Sequence, residues 1–216
     1  MPVELTTAAA DFEAAFARML SAKREDSADV SDTVAAIIAD VRARGDAAVI
    51  DYTTRFDKLP LTADTLRFSK AEIAAHTAKV SAEDRAALEL AAERIRAYHA
   101  RQMPADESWS DDAGATLGWR WGAVSAAGLY VPGGQASYPS SVLMNAIPAR
   151  VAVVGRLVVC VPTPRGEVNP LVLLACELAG VDEIYRIGGA QAIAALAYGT
   201  DTIAPVDKIT GPGNAY

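Results

Sequence analysis

Four short apolar runs in the second half of the chain decide its fold: AAGLYV (126–131), RLVVCV (156–161), EIYRI (183–187) and KIT (208–210). They recur at intervals of about 25 residues, close to the length of a strand plus a crossover helix. Three segments between them have the composition of helices: SSVLMNAI (140–147), NPLVLLACELAG (169–180) and AQAIAALAYG (190–199). Because the apolar runs do not alternate with polar residues, the pattern predicts parallel strands that are covered on both faces.

Each predicted strand is followed by a loop rich in Gly, Pro and short polar residues: VPGGQASYPSS (131–141), PTPRG (162–166), GGAQ (188–191) and GPGN (211–214). Parallel strands place their carboxyl ends at one edge of the sheet, so the four loops are expected to converge there. Gly lets backbone amides approach a ligand, and a helix N-terminus favours an anionic group such as pyrophosphate. Gly and Pro also simply turn a chain, and none of the loops holds the full G-x-G-x-x-G fingerprint. The four loops are therefore interpreted as a nucleotide-binding site that lacks the standard fingerprint.

Residues 1–115 differ in composition and are predicted to form a mainly helical segment, with residues 116–216 as the α/β domain. The first segment holds 35 of the 47 charged residues. Helices are expected at about 8–21, over SDTVAAIIADVRARG (31–45) with Ser31 or Asp32 as cap, and after Asp46 as the next cap. Further helices are expected after two more caps, a Ser69/Glu72 capping box and Ser81.

Composition excludes several classes of function. The formal net charge of −7 gives no general attraction to nucleic acid or to an anionic membrane. The chain has no apolar run long enough to span a bilayer, and acidic residues stand where a secretory signal would be basic or apolar, so a cytoplasmic protein is expected. With only two His and two Cys, no metal cage of His and Cys is expected.

The histidines, cysteines and tyrosines of the chain are weaker candidates for a functional site. His76 and His99 lie in predicted helices and are expected to be surface or packing residues. Cys160 and Cys176 lie in apolar segments that would not activate a thiolate. Three tyrosines could stack on a nucleotide base or pack in the core, and only the first leads directly into a Gly-rich loop: Tyr130, Tyr138 and Tyr185.

Three long strings closely resemble the amino-terminal half of histidinol dehydrogenase: GLYVPGGQASYPSSVLMNAIPARVA (128–152), PTPRGEVNPLVLLACELAGVDEIYRIGGAQAIAALAYGT (162–200) and VDKITGPGNAY (206–216). The helical part is similar to the same family through VAAIIADVRARGDAAVIDYTTRFD (34–57) and RIRAYHARQ (94–102). The resemblance thus covers nearly the whole chain.

The resemblance implies an incomplete Rossmann-like domain, a homodimer, and an NAD-dependent oxidation of L-histidinol to L-histidine through an aldehyde. By motif, it places the cofactor contacts at Tyr130, Gln191 and Asn214. Four glycines would keep the floor of that site free of side chains: Gly133, Gly134, Gly188 and Gly189. Six of these seven residues belong to the loops selected above, and Tyr130 directly precedes the first of them.

The chain departs from the family in length, because it ends at Tyr216, about half way along a histidinol dehydrogenase. The family's zinc ligands and acid–base residues fall in the other half, so no catalytic or metal residue is assigned and the isolated chain is expected to be inactive. Part of residues 1–115 is expected to pack on that other half. One alternative is a non-catalytic nucleotide-binding or dimerisation module. Another is a different NAD-dependent aldehyde dehydrogenase, which would need an activated cysteine.

Overall fold

The structure, a computed structural model, describes residues 4–22, 28–132 and 138–212. Eight α-helices lie in this part of the chain: α1 (Phe12–Ala22), α2 (Ala28–Arg44), α3 (Asp46–Asp57), α4 (Lys70–Thr77), α5 (Ala82–Ala100), α6 (Pro139–Val151), α7 (Pro170–Leu178) and α8 (Gly189–Tyr198). The same part holds six strands: β1 (Glu107–Ser110), β2 (Thr116–Trp119), β3 (Ala126–Tyr130), β4 (Arg156–Cys160), β5 (Glu183–Tyr185) and β6 (Lys208–Thr210).

The four predicted strands form one parallel sheet in the order β5-β4-β3-β6. Gly128 in the middle of β3 faces Val158 of β4 on one side and Ile209 of β6 on the other. Counted from β3 as the first strand, this order is 3-2-1-4, as in the first half of a Rossmann fold. The predicted fold class, an incomplete Rossmann-like parallel sheet with flanking helices after a mainly helical segment, is confirmed.

Both faces of the sheet are covered, as the unbroken apolar strands predicted. On one face, Leu129, Leu157 and Val159 pack with the apolar residues of α6 and α7. On the other face, Val158 and Cys160 pack with α8. Successive strand residues point to opposite faces, so a strand that is buried on both must be apolar throughout.

The helices of residues 1–115 pack on the helices that cover the sheet. α5 lies against α6 and α7, α4 lies against α7, and α2 and α3 lie against α8. The amino-terminal segment therefore adds side chains to both hydrophobic cores, Phe68 and Ala92 to one and Val41 and Val49 to the other. The division at 115–116 and the packing on sequence beyond this chain stay predictions.

An extended piece of the amino-terminal segment also covers one edge of the sheet. The amide of Phe68 donates to the carbonyl oxygen of Ile184 at 2.9 Å, and the amide of Arg186 donates to the carbonyl oxygen of Leu66 at 2.9 Å. Arg67 thus pairs with β5 in antiparallel orientation. This contact was not predicted, and it satisfies backbone groups that an edge strand would otherwise expose.

Two of the predicted helix caps are correct and two are wrong. The amide of Glu72 donates to Oγ of Ser69, whose own amide donates to the Glu72 carboxylate, and the amide of Asp84 donates to Oγ of Ser81. Ser31 and Asp32, however, lie inside α2, which already includes Ala28.

Asp46 is likewise the first residue of α3 and not its cap, because Gly45, with φ +55°, precedes it. The Asp46 carboxylate instead accepts a hydrogen bond from the Thr202 hydroxyl.

A β-hairpin that the sequence analysis did not predict lies across residue 115. Glu107 pairs with Trp119 and Ser110 pairs with Thr116 in antiparallel register. In the connecting turn, Oδ1 of Asp111 accepts hydrogen bonds from the amides of residues 113 and 115. Every residue of the two strands is exposed.

Among the described residues, no helix is both long enough and apolar enough to cross a bilayer.

Candidate functional site

The loops that follow β3, β4, β5 and β6 meet at the carboxyl edge of the sheet, here called the rim. The ring of Tyr130, the last residue of β3, reaches the start of α8, where its hydroxyl oxygen accepts a hydrogen bond from the amide of Gly189 at 3.2 Å. The Tyr130 side chain is half-buried. One contact thus joins the last residue of β3 to the loop after β5.

Two further close approaches join the remaining loops to the rim. A Cβ on Gly188 would lie 2.6 Å from Cβ of Pro162, which belongs to the loop after β4. A Cβ on Gly211, directly after β6, would lie 2.2 Å from the carbonyl oxygen of Tyr130. These positions can hold only glycine without a shift of the backbone. The structure therefore brings the carboxyl ends of the strands and the described residues that follow them together, as predicted.

The sheet has its topological switch point at this rim. β4 follows β3 through α6 on one side, whereas β6 lies on the opposite side of β3. In open α/β sheets, ligands bind in the crevice at the point where the strand order reverses. Tyr130 and Gly211 end the two strands that flank this crevice.

Gln191 is the most unusual polar residue of the rim. It lies in the first turn of α8 and is only 1% exposed, and its Oε1 has no hydrogen-bond partner among the described residues. Oε1 is also 2.7 Å from the position that a Cβ on Gly189 would take, so it lies directly over that glycine, whose φ is +63°. A buried carbonyl oxygen without a donor is costly, and a ligand that supplies an N–H or O–H group would remove the cost.

Thr163, in the loop after β4, has the same property, and the sequence analysis missed it. It is 2% exposed, and its hydroxyl has no hydrogen-bond partner within the residues that the structure describes. The available signal was its position between two prolines in PTPRG (162–166), where a β-branched polar residue has little freedom to turn outward.

Gly188 and Gly189, like Tyr130 and Gln191, lie at the rim as expected. The other three residues assigned to the cofactor, Gly133, Gly134 and Asn214, lie outside the described residues. α8 itself starts without a side-chain cap at Gly188. Its first amides therefore depend on the Tyr130 hydroxyl, on backbone carbonyls and on any ligand at the rim.

The other candidates take structural positions. Cys160 and Cys176 are fully buried free thiols, and burial raises the pKa of both well above the ordinary value. Neither is therefore an activated nucleophile. Tyr185 is buried in the core, where its hydroxyl donates to Glu183 and to the Thr202 carbonyl oxygen.

Outside the core, Tyr138 is exposed at the start of α6. His76 and His99 lie on α4 and α5, and Nδ1 of His99 is 2.6 Å from Oε1 of Gln102.

Within residues 4–22, 28–132 and 138–212, no group of three or more His, Cys, Asp and Glu side chains is placed to hold a metal ion. The described residues thus do not fit the zinc site that the resemblance implies for the full-length family enzyme.

They do fit a dinucleotide, because the rim combines backbone free of side chains with the unpaired carbonyl oxygen of Gln191.

A sequence profile described as histidinol dehydrogenase matches residues 20–216 of the chain. The chain belongs to the histidinol dehydrogenase family. It is 73% identical to the histidinol dehydrogenase of Ruegeria pomeroyi and 74% identical to that of Cereibacter sphaeroides, in each case over 100% of this chain and 50% of the relative.

A crystal structure of histidinol dehydrogenase from Elizabethkingia anophelis superposes with a TM-score of 0.83 at 38% identity, covering 87% of this chain and 43% of that one. The family resemblance expected from the sequence is confirmed. The chain spans about half the length of the curated relatives it matches.

Proposed function

We propose that this chain is the NAD-binding half of a histidinol dehydrogenase, an oxidoreductase of histidine biosynthesis. The complete enzyme would oxidise L-histidinol to L-histidine through the aldehyde. The observation that carries this proposal is the rim, where the strand ends of a histidinol dehydrogenase family member meet at the switch point of a Rossmann-like sheet and the Oε1 atom of Gln191 has no partner among the described residues.

Each residue of the rim has a specific part in this proposal. Gly188 and Gly189 let the cofactor approach the start of α8, whose dipole favours a negatively charged group. Gln191 accepts a hydrogen bond from the cofactor through Oε1, and its amide group can donate. Tyr130 holds the start of α8 in place through Gly189 and offers the face of its ring to a cofactor ring.

When bound, NAD accepts a hydride from the alcohol and, in the second half of the reaction, from the aldehyde. The chain's own residues bind and orient the cofactor. Of the charged residues, only Arg165 occurs in the four loop sequences, so backbone amides, Gln191 and Tyr130 form most of the polar contacts. Asn214, Gly133 and Gly134 complete the proposed set.

Catalysis needs a base for the hydroxyl proton and an activated water for the aldehyde. We assign neither to this chain, and we place the acid–base residues and the zinc in the half of the relatives that this chain does not span. As isolated, the chain is expected to bind NAD without turning over histidinol. A homodimer of the complete enzyme and a cytoplasmic location belong to the same proposal, and two buried free thiols agree with a reducing compartment.

The test is a titration of NAD against the 216-residue chain, in which binding is measured by ligand-observed NMR because that method detects weak binding. Gln191→Met keeps the buried volume and removes the amide, so NAD should bind about tenfold more weakly. Gln102→Met, at the end of α5, is the matched control and should bind like the parent chain. Equal affinity in all three proteins would refute the assignment of the rim.

A second experiment separates the enzyme half from a non-catalytic nucleotide-binding or dimerisation module. The carboxyl-terminal half of the Ruegeria pomeroyi relative is produced separately and mixed with this chain, NAD, zinc and L-histidinol. Recovery of NADH formation in the mixture, with none for either half alone, supports the enzyme half. A complex of the two halves that binds NAD and remains inactive would favour the module.

A further inference from the structure

The carboxylate of Asp57, in the amino-terminal segment, forms no ion pair with the described residues. Asp57 is the last residue of α3, its side chain is half-buried, and its Oδ2 is shielded from solvent without a hydrogen-bond partner in the part of the chain that the structure describes. Burial accordingly raises the pKa of Asp57 above its ordinary value. The neighbouring cation does not compensate, since Nζ of Lys58 donates to the carbonyl oxygen of Arg55 at 2.8 Å.

The two ends of α3 lie at opposite edges of the sheet. Its first residue, Asp46, accepts a hydrogen bond from the Thr202 hydroxyl. The carbonyl oxygen of Thr202 in turn accepts a hydrogen bond from the hydroxyl of Tyr185, which also donates to Glu183, the first residue of β5. That end is the amino edge of the sheet. A helix of 12 residues is about 18 Å long, which is enough to cross a sheet of five-residue strands.

The far end of α3 lies at the rim. α3 contacts the short 3₁₀ helix Pro164–Gly166 in the loop after β4, and a Cβ on Gly166 would lie 3.7 Å from Cδ1 of Leu59, two residues after Asp57. Asp57 therefore ends α3 on the side of the sheet where the loop after β4 lies.

That place has a defined role in dinucleotide-binding folds. An acidic residue at the end of the second strand of the βαβ unit accepts hydrogen bonds from the adenosine ribose of NAD. β4 is the second strand here, and the loop PTPRG (162–166) that follows it contains no acid. Its charged residue is the exposed Arg165, the type of residue that accommodates the 2′-phosphate of NADP.

We propose that Asp57 takes the place of the missing acid and accepts hydrogen bonds from the hydroxyls of the adenosine ribose. This inference rests on the proposed function and deepens it, because it makes a residue of the helical segment responsible for the preference for NAD over NADP. The ribose diol supplies a donor of the kind that Oδ2 of Asp57 lacks among the described residues. A 2′-phosphate would bring a second negative charge against a partly buried one, which is unfavourable.

The test is a double-mutant cycle on the 216-residue chain with NAD and its adenosine 2′-deoxy analogue. Asp57→Asn should weaken NAD binding about tenfold or more, as expected for a hydrogen bond to a charged group, and should weaken binding of the deoxy analogue much less. NADP should bind the parent chain more weakly than NAD, and Asp57→Asn should reduce that difference. Asp64→Asn, an exposed aspartate seven positions further on, should change none of these affinities.

Since Oδ2 of Asp57 has no partner among the described residues, the replacement of Asp57 by Asn should not unfold the chain, and thermal unfolding of both variants checks this. Equal losses for NAD and the deoxy analogue, or no loss for either, would overturn the role of Asp57 while leaving the rim intact. Tighter binding of NADP than of NAD by the parent chain would also overturn it. If the parent chain bound no NAD at all, the proposed function would fail first.

Discussion

The backbone amide of Gly189 donates a hydrogen bond to the hydroxyl oxygen of Tyr130 across 3.2 Å. This bond connects the end of β3 to the first turn of α8, so a proposed cofactor residue also holds two elements together. Tyr130→Phe keeps the ring and removes the acceptor, and we expect it to lower the free energy of unfolding by about 1 kcal/mol. Urea denaturation followed by circular dichroism measures this loss.

The control for Tyr130→Phe is Tyr198→Phe. Tyr198 is 53% exposed, and its ring lies 4.6 Å from the guanidinium carbon of Arg42, a contact that phenylalanine preserves. Its replacement should leave the free energy of unfolding unchanged. If both variants lost the same stability, the bond to Gly189 would contribute nothing specific.

Gly188 has no room for a side chain. Its Cβ would lie 2.6 Å from Cβ and 2.7 Å from Cγ of Pro162, and the proline ring cannot rotate away. Gly188→Ala should therefore displace the loop after β4, cost about 1–3 kcal/mol of stability, and weaken NAD binding. Gly122→Ala is the matched control, because no atom lies within 4 Å of its Cβ position. A destabilisation of the same size in both variants would show that the contact with Pro162 is not the cause.

The sheet and its rim could be predicted because each apolar strand is followed by a loop that differs sharply from it. Buried parallel strands need continuous apolar residues, as in RLVVCV (156–161), and the Gly and Pro after them mark the ends. The order of the strands was not predicted, because the right-handedness of a crossover fixes neither the face on which a helix lies nor the side on which the next strand adds. The predicted site positions follow instead from the shared carboxyl edge of parallel strands.

The hairpin of β1 and β2 was not predicted because its strands are short and charged residues surround it. Two residues of its turn have the roles that turns require. The carboxylate of Asp111 accepts hydrogen bonds from two backbone amides, and Gly114 has a φ of +81°. The pairing of Arg67 with β5 joins residues that are far apart in the sequence. The paired segment, 66–68, has only three residues, which is too short to show the alternating pattern of a strand.

Two properties of the site depend on tertiary structure and could not be seen in the sequence. The resemblance assigned Gln191 to the cofactor, but its complete burial, with an oxygen that has no partner among the described residues, depends on how α8 packs under the rim. The partial burial of Asp57 depends on the path of α3 across the sheet toward the side where the loop after β4 lies.

Protonation of Glu72 should lower the stability of the chain at acid pH. Its carboxylate accepts a hydrogen bond from the amide of Ser69 and one from the guanidinium of Arg186, each at 2.8 Å, and these contacts lower the pKa of Glu72 from 4.5 to about 2. Because the folded-state pKa is depressed, the contribution is complete above pH 4.5 and is lost as pH falls toward about 2.

Glu72→Gln removes that titration. Urea unfolding midpoints measured across this interval should fall less steeply for the variant than for the parent chain. Glu93→Gln, an exposed glutamate of α5, should keep the parent slope. A parent-like slope in Glu72→Gln would assign the acid sensitivity to other carboxylates.

Cys160 and Cys176 should be inert in the native protein. Both are fully buried, and burial raises the pKa of each thiol, so almost no thiolate is present at neutral pH. A chromogenic disulfide reagent should therefore react only as fast as the protein opens, and both thiols should react at once in denaturant. Rapid labelling in native buffer would contradict the placement of β4 and α7.

Tryptophan fluorescence should report on the hairpin alone. The three tryptophans of the chain are Trp109, Trp119 and Trp121, which are 40%, 50% and 59% exposed. A two-stranded hairpin with both faces in water is marginally stable, and its main internal support is the edge contact of the Trp109 and Trp119 rings at 5.0 Å. We expect red-shifted emission that acrylamide quenches almost as well as in the urea-unfolded chain. Blue-shifted emission that is protected from acrylamide at low protein concentration would contradict this exposure, whereas a blue shift that grows with concentration would mean that a second copy covers the hairpin.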